Sequence, residues 1–309
     1  MSAAVSLPDS LAERYSLVCD RIARAAGAAG RRERDIFLVA VTKNADPEQI
    51  RSLIDLGHRD LGENRVQQFL QHAALVDEYL KRLSVLPSTR RAADVEEAQS
   101  LFASADDKLP ALGSRQQPTP ETDAAGKPKR PIRWHMIGHL QRNKARKICD
   151  LVRLVHSVDS LRIAEELQAI AIRKDIVIDV LLQVNCSGEA SKFGCPMPAA
   201  VPLAEQIETM INVRLRGVMT IAQDGASERD TRRTFARARE TYEELRTLNI
   251  AEGQCNLLSM GMTGDFEWAI REGANIVRVG TAIFGTPSKI DEPEEPEEPD
   301  EADDADTVV

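Results

Sequence analysis

At 309 residues, with 42% hydrophobic and 29% charged side chains, the chain can bury one large core, which excludes disorder throughout. Its net charge of -9 is unevenly spread: eleven of the 49 acidic residues fall in 291–309, which has no Lys or Arg, so residues 1–290 carry 38 acids against 40 bases. A nearly neutral body gives no footprint for nucleic acid, and the acidic tail would be repelled by phosphate backbones and anionic membranes. Five scattered cysteines (Cys19, Cys149, Cys186, Cys195, Cys255) without a CxxC pair suggest reduced thiols. No apolar run reaches the length of a signal peptide or membrane span, so a soluble cytoplasmic protein is expected.

In chain order, eight short apolar runs read as strands: 36–41, 58–63, 133–138, 154–159, 176–185, 214–219, 256–261 and 275–280. Helical patterns lie between them at 47–56, 162–173, 198–210, 227–248 and 265–272. Strict alternation means parallel strands with helical crossovers, an α/β architecture that eight units close into a (β/α)8 TIM barrel. A doubly wound open sheet would normally need a glycine fingerprint after its first strand, where this chain reads VTKNADPEQ. The barrel is expected to be a single domain over 1–290. An insertion at 87–131 interrupts it, with a helix at 92–103 and a disordered Pro/Gly/Ser-rich latter half, and 291–309 reads as a disordered acidic tail.

Lys43 follows the first strand and so stands at the C-terminal rim, where barrel sites are built. A lone lysine there is most often an exposed loop residue. An apolar or cationic surrounding would instead lower its pKa and fit it to form a Schiff base with an aldehyde. Glycine-bearing turns after the seventh and eighth strands, with Ser259, Gly261, Gly280 and Thr281, fall at the customary phosphate site of barrels, although such glycines can also merely end strands. Arg278 lies between Val277 and Val279 in NIVRVG and so points to the opposite face. Facing into the barrel it would stand by a bound ring, and facing out it would make a rim salt bridge. The run 142–147 (RNKARK) reads as a solvated helix face, and five histidines without metal spacing give no metal site.

The segments VAVTKNADPEQI, GENRVQQ, RWHMIGHLQRNKARKI, HSVDSLRIAEEL, LLQVNCSGEASKFG, LRGVMTIA, LSMGMTGDFEWAI and VRVGTAIFG occur in the order and spacing of the YggS family of pyridoxal phosphate homeostasis proteins. The resemblance runs from about residue 11 to 285, outside the insertion and tail. It implies a fold-type III barrel like the N-terminal domain of alanine racemase, holding pyridoxal 5'-phosphate (PLP) on Lys43. It also implies that Asn64 and Met219 lie near the ring, that Ser259, Gly280 and Thr281 hold phosphate, and that Arg278 stands by the pyridine nitrogen. Thr263 and Gly264 replace the serine and polar residue of many members, beside the phosphate loop.

Three functions remain open at this level: a PLP carrier in PLP homeostasis without turnover, serving PLP-dependent apoenzymes as a monomer or weak dimer; a PLP-dependent racemase or decarboxylase; and a Schiff-base barrel enzyme acting on a phosphorylated metabolite. No catalytic residue is assigned.

Overall fold

The structure is a computed structural model that describes residues 10–85, 131–189 and 193–286. Residues 87–130 of the expected insertion, with its helix at 92–103, and the tail 291–309 lie outside them.

Nine strands are present among the described residues: β1 (Phe37–Val41), β2 (Asp60–Glu63), β3 (Arg133–Met136), β4 (Val152–Val158), β5 (Ile178–Asn185), β6 (Cys195–Pro196), β7 (Val213–Met219), β8 (Leu257–Ser259) and β9 (Ile276–Val279). All pairings are parallel, in the order β4-β3-β2-β1-β9-β8-β7-β5, and β4 pairs back onto β5 to close an eight-stranded barrel. The two residues of β6 add a short extra pairing at the end of β5. The expected (β/α)8 barrel is therefore the fold.

Alternation along each strand sorts side chains into two layers. Outward residues such as Leu38, Ala40, Trp134, Met136, Val277 and Val279 join the main core between barrel and helices. A smaller inner cluster contains Val39, Leu154, Leu181, Met219, Leu257 and Ile276. Charged and polar groups share that interior, and Arg216 and Arg278 are 1% and 3% exposed. Buried charge of this kind is costly unless paired, and Arg216 faces Asp179 at 3.5 Å while Arg278 donates to Ser259 and the Thr220 carbonyl.

The helices expected at 47–56, 162–173, 198–210, 227–248 and 265–272 form at Pro47–Asp55, Leu161–Lys174, Ala200–Glu208, Glu228–Thr247 and Phe266–Arg271. The periodicity reading did not name the helix Leu11–Ala28. It buries Tyr15, Val18, Cys19, Ile22, Ala25 and Ala26 at helical spacing, and the Ser10 hydroxyl caps it by accepting from the Glu13 N–H. This helix packs against the last two described helices: Arg14 donates to the Ile283 carbonyl at 2.7 Å, and Arg21 pairs with Glu267 at 2.6 Å. The run at 142–147 makes one helical turn, Arg142–Ala145, whose Ala145 is buried.

Two glycines are demanded by the barrel itself. Gly217 has φ of +150°, and a Cβ there would lie 1.7 Å from the Leu257 carbonyl oxygen on β8. The pairing of β7 with β5 slips at this point, so an extra residue is taken up just before Gly217. A Cβ at Gly138 would lie 2.1 Å from the Asn64 carbonyl oxygen, so the loops after β2 and β3 meet there backbone to backbone.

Candidate cofactor site

The eight candidate binding residues lie on β2, β1, β9, β8 and β7 or just beyond their C-terminal ends, and these five strands are neighbours in that order. They therefore occupy one continuous arc at the end where barrel sites form.

Lys43 follows β1 by two residues and its side chain is exposed. The apolar enclosure expected of a strand-end lysine is thus not provided by the side chains of the described residues. Its backbone is anchored on one side by Gln68, which donates to the Lys43 carbonyl at 3.0 Å, and on the other by the Thr42 N–H bonded to Gly62. Beside it lies a polar group that the sequence did not announce. Glu63 is fully buried, and its Oε1 accepts from the Thr42 hydroxyl and contacts His72 Nδ1 at 2.6 Å. Glu63 Oε2 and Asn64 Oδ1 are buried acceptors without a hydrogen-bond partner among the described residues. Unsatisfied buried acceptors are uncommon and suit a donor brought by a bound group.

Arg278 points inward, as one of the two sequence alternatives required. It donates to Ser259 Oγ at 2.6 Å and to the Thr220 carbonyl at 2.9 Å. Burial lowers its pKa to about 10, with Asp265 acting in the opposite sense, so it remains a cation at neutral pH. Met219 stands in register beside Ser259 and is fully buried in the inner cluster.

Ser259, expected at phosphate, is itself fully buried, with His156 Nδ1 on its hydroxyl at 3.0 Å as well as Arg278. Gly261 has φ of +95°, and a Cβ there would strike Ala269 Cβ at 2.6 Å and Phe266 Cα at 2.9 Å. Its lack of a side chain thus lets the helix Phe266–Arg271 pack close. Gly280 sits against the Val41 carbonyl and donates its N–H to Thr263 Oγ1 at 3.4 Å. The segment 281–284, read from sequence only as a glycine turn, is a helical turn, Thr281–Phe284, whose first N–H groups have no acceptor within it. With Thr263, Thr281 and these N–H groups, the ends of β8 and β9 supply donors suited to an anion.

The arginine and serine belong to a longer chain of polar contacts. His156 Nε2 meets His135 Nδ1 at 2.9 Å, and His135 Nε2 meets Asp60 Oδ1 at 3.1 Å. Arg133 grips the same carboxylate through Nε at 2.7 Å and Nη2 at 2.5 Å. Burial alone would raise the Asp60 pKa, but the hydrogen bonds and charges of Arg133 and His135 outweigh it and hold the carboxyl below the usual range. Burial, reinforced by His135 and Arg278, pushes His156 well below the ordinary histidine value. The sequence reading considered these histidines only as metal ligands. Inward alternation of His135 between Trp134 and Met136 was the signal that could have placed it in the barrel.

The alanine racemase N-terminal domain family matches residues 91–288. The chain is 35% identical over 274 residues to the pyridoxal phosphate homeostasis protein of Aquifex aeolicus, covering 88% of this chain and 96% of that one. It belongs to the family of pyridoxal phosphate homeostasis proteins. PipY of Synechococcus elongatus, a structure with PLP bound, is 28% identical with a TM-score of 0.62, over 89% of this chain and 100% of PipY. Beyond the family, alanine racemase of Clostridium difficile shares the barrel at 12% identity and a TM-score of 0.59, over 93% of this chain and 61% of the racemase. None of the helices searched is long and apolar enough to cross a membrane.

Proposed function

We propose that this protein binds PLP at the rim arc through Lys43 and takes part in PLP homeostasis as a carrier, without turnover of its own. The amine of Lys43 and the cofactor aldehyde would condense with loss of one water to a Schiff base. Asn64 and Met219 would face the ring, and Gly261, Gly280 and Thr281 would line the phosphate end, with Ser259 buried beside Arg278. The observation that carries this reading is the coincidence, on one arc of the rim, of Lys43 with inward-facing Arg278 in a chain of this family.

Arg278 also favours holding over turnover. A guanidinium keeps its proton, so beside the pyridine nitrogen it would leave that nitrogen unprotonated and weaken the ring as an electron sink. The natural recipients of the cofactor are PLP-dependent apoenzymes. Five free, buried thiols support a reducing, cytoplasmic setting.

Titration of purified protein with PLP, followed by its visible absorbance, tests the reading. Wild type should take up one equivalent and develop an absorbance that Lys43→Ala does not. Equal behaviour of the two proteins would refute Lys43 as the attachment point. Incubation of the loaded protein with amino acids in deuterated water should show no α-proton exchange, and exchange would favour the racemase alternative.

A further inference from the structure

The contacts from Asp60 to Arg278 run from the first residue of β2, at the N-terminal floor of the barrel, to the interior beneath the rim. Each step permits only certain protons. The Asp60 carboxylate only accepts, so His135 Nε2 must carry a hydrogen. In a neutral His135 ring Nδ1 is then an acceptor, which requires a hydrogen on His156 Nε2. His156 Nδ1 is an acceptor in turn, so the Ser259 hydroxyl donates to it and offers its lone pairs to Arg278. With both rings neutral, every hydrogen points toward Asp60; a protonated His135 would donate to His156 Nε2 instead and reverse the links beyond it. The other charged groups facing the chain among the described residues are Arg133, bound to Asp60, Arg153 near Asp60 and Arg133, Arg59 near His58, and Asp265 near Arg278.

We propose that Asp60, His135 and His156 are positioning residues for Arg278: a one-way hydrogen-bond relay that fixes Ser259 as an acceptor, locks the guanidinium in place and so sets the affinity of the site for PLP. This rests on the carrier reading and deepens it. It also reassigns Ser259. Its single proton is committed to His156, so the hydroxyl serves Arg278, and recognition of the phosphate falls to Thr263, Thr281 and the backbone around Gly280. A buried network satisfied at every step holds a side chain more rigidly than isolated contacts do.

Two measurements test this. Nitrogen-15 NMR of the histidine rings in cofactor-free wild type should show His135 and His156 as neutral Nε2–H tautomers at pH 7.5. An Nδ1–H tautomer at His156, or an imidazolium in either ring, overturns the relay. PLP affinity should then be compared among wild type, Asp60→Asn, His135→Gln and His58→Gln, the last altering an equally buried histidine that meets Asp60 only at its backbone carbonyl and no side chain of the relay. Asp60→Asn and His135→Gln should each weaken PLP binding by about tenfold, in the range seen when supporting partners of a binding group are removed, while His58→Gln should not. If Asp60→Asn fails to fold, His135→Gln alone decides. Equal affinity in all four proteins, or equal weakening in all three variants, refutes the positioning role and leaves the carrier reading standing. Wild type that takes up no PLP refutes the carrier reading and the relay's role with it, even if both tautomers are as stated.

Discussion

His58 should make the fold sensitive to mild acid. Its ring is enclosed: Nε2 bonds the Asp60 carbonyl at 2.8 Å, and Nδ1 meets the Tyr15 hydroxyl at 3.2 Å, so the neutral ring has a partner on each nitrogen. Burial lowers its pKa to about 4, against an ordinary value of 6.5. The unfolded chain therefore takes up the proton first. The stabilising contribution is complete above about pH 6.5 and is lost as pH falls toward 4. For these two values the loss between pH 7.5 and pH 5 is about 2 kcal/mol. That is a large share of the 5–15 kcal/mol or so by which proteins are stable. His156 shifts in the same direction and adds to the loss. Urea unfolding at a series of pH values measures it as a falling midpoint at constant slope. In His58→Gln the dependence between pH 6.5 and 5 should be shallower by up to about 1.4 kcal/mol per pH unit, the value of one proton. An identical dependence in wild type and variant, or a His58 titrating near 6.5 in the folded protein, would refute the argument.

Three further outcomes follow from the packing. Burial pushes the thiols of Cys19, Cys149, Cys195 and Cys255 up to about 12 and that of Cys186 up to about 11. None should react with Ellman's reagent within minutes at pH 8 in the native protein, and all five should react in guanidinium. Gly217→Ala drives a methyl into the Leu257 carbonyl in a region of φ that alanine avoids, and should cost about 3 kcal/mol or more by thermal unfolding. Gly138→Ala pushes the Asn64 backbone away from the β3 loop. It should weaken PLP binding at least several-fold, as measured by titration, and an unchanged affinity would remove Asn64 from the site.

The fold was legible because its signals are local. Apolar runs ending in rim residues, separated by amphipathic helices, marked all eight barrel strands, and the register of β1 with β9 brings Val39 beside Arg278 as their alternation required. The helix Leu11–Ala28 was present in the pattern too, since its buried residues recur at helical spacing behind a serine cap. It precedes the first strand, where an alternation of strand and helix does not call for one.

The interior network was far less legible. His135 and His156 lie 21 positions apart, and His156 and Ser259 lie 103 apart, so only closure of the barrel brings them together. A lone histidine in a strand says little until its inward neighbours are known. The same limit applies to Glu63, whose partners Thr42 and His72 come from the end of β1 and from the helix Val66–Val85 that follows β2. The glycines illustrate the converse. Gly261 and Gly280 read from sequence as letting the backbone approach a phosphate, and what lies against them within the chain is the helix Phe266–Arg271 and strand β1.

Borohydride reduction of the PLP-loaded protein, followed by peptide mass mapping, decides whether PLP is attached to Lys43. A pyridoxyl-phosphate mass is expected on the peptide containing Lys43 and on no other. A label on a different lysine, or none after saturation with PLP, would contradict it.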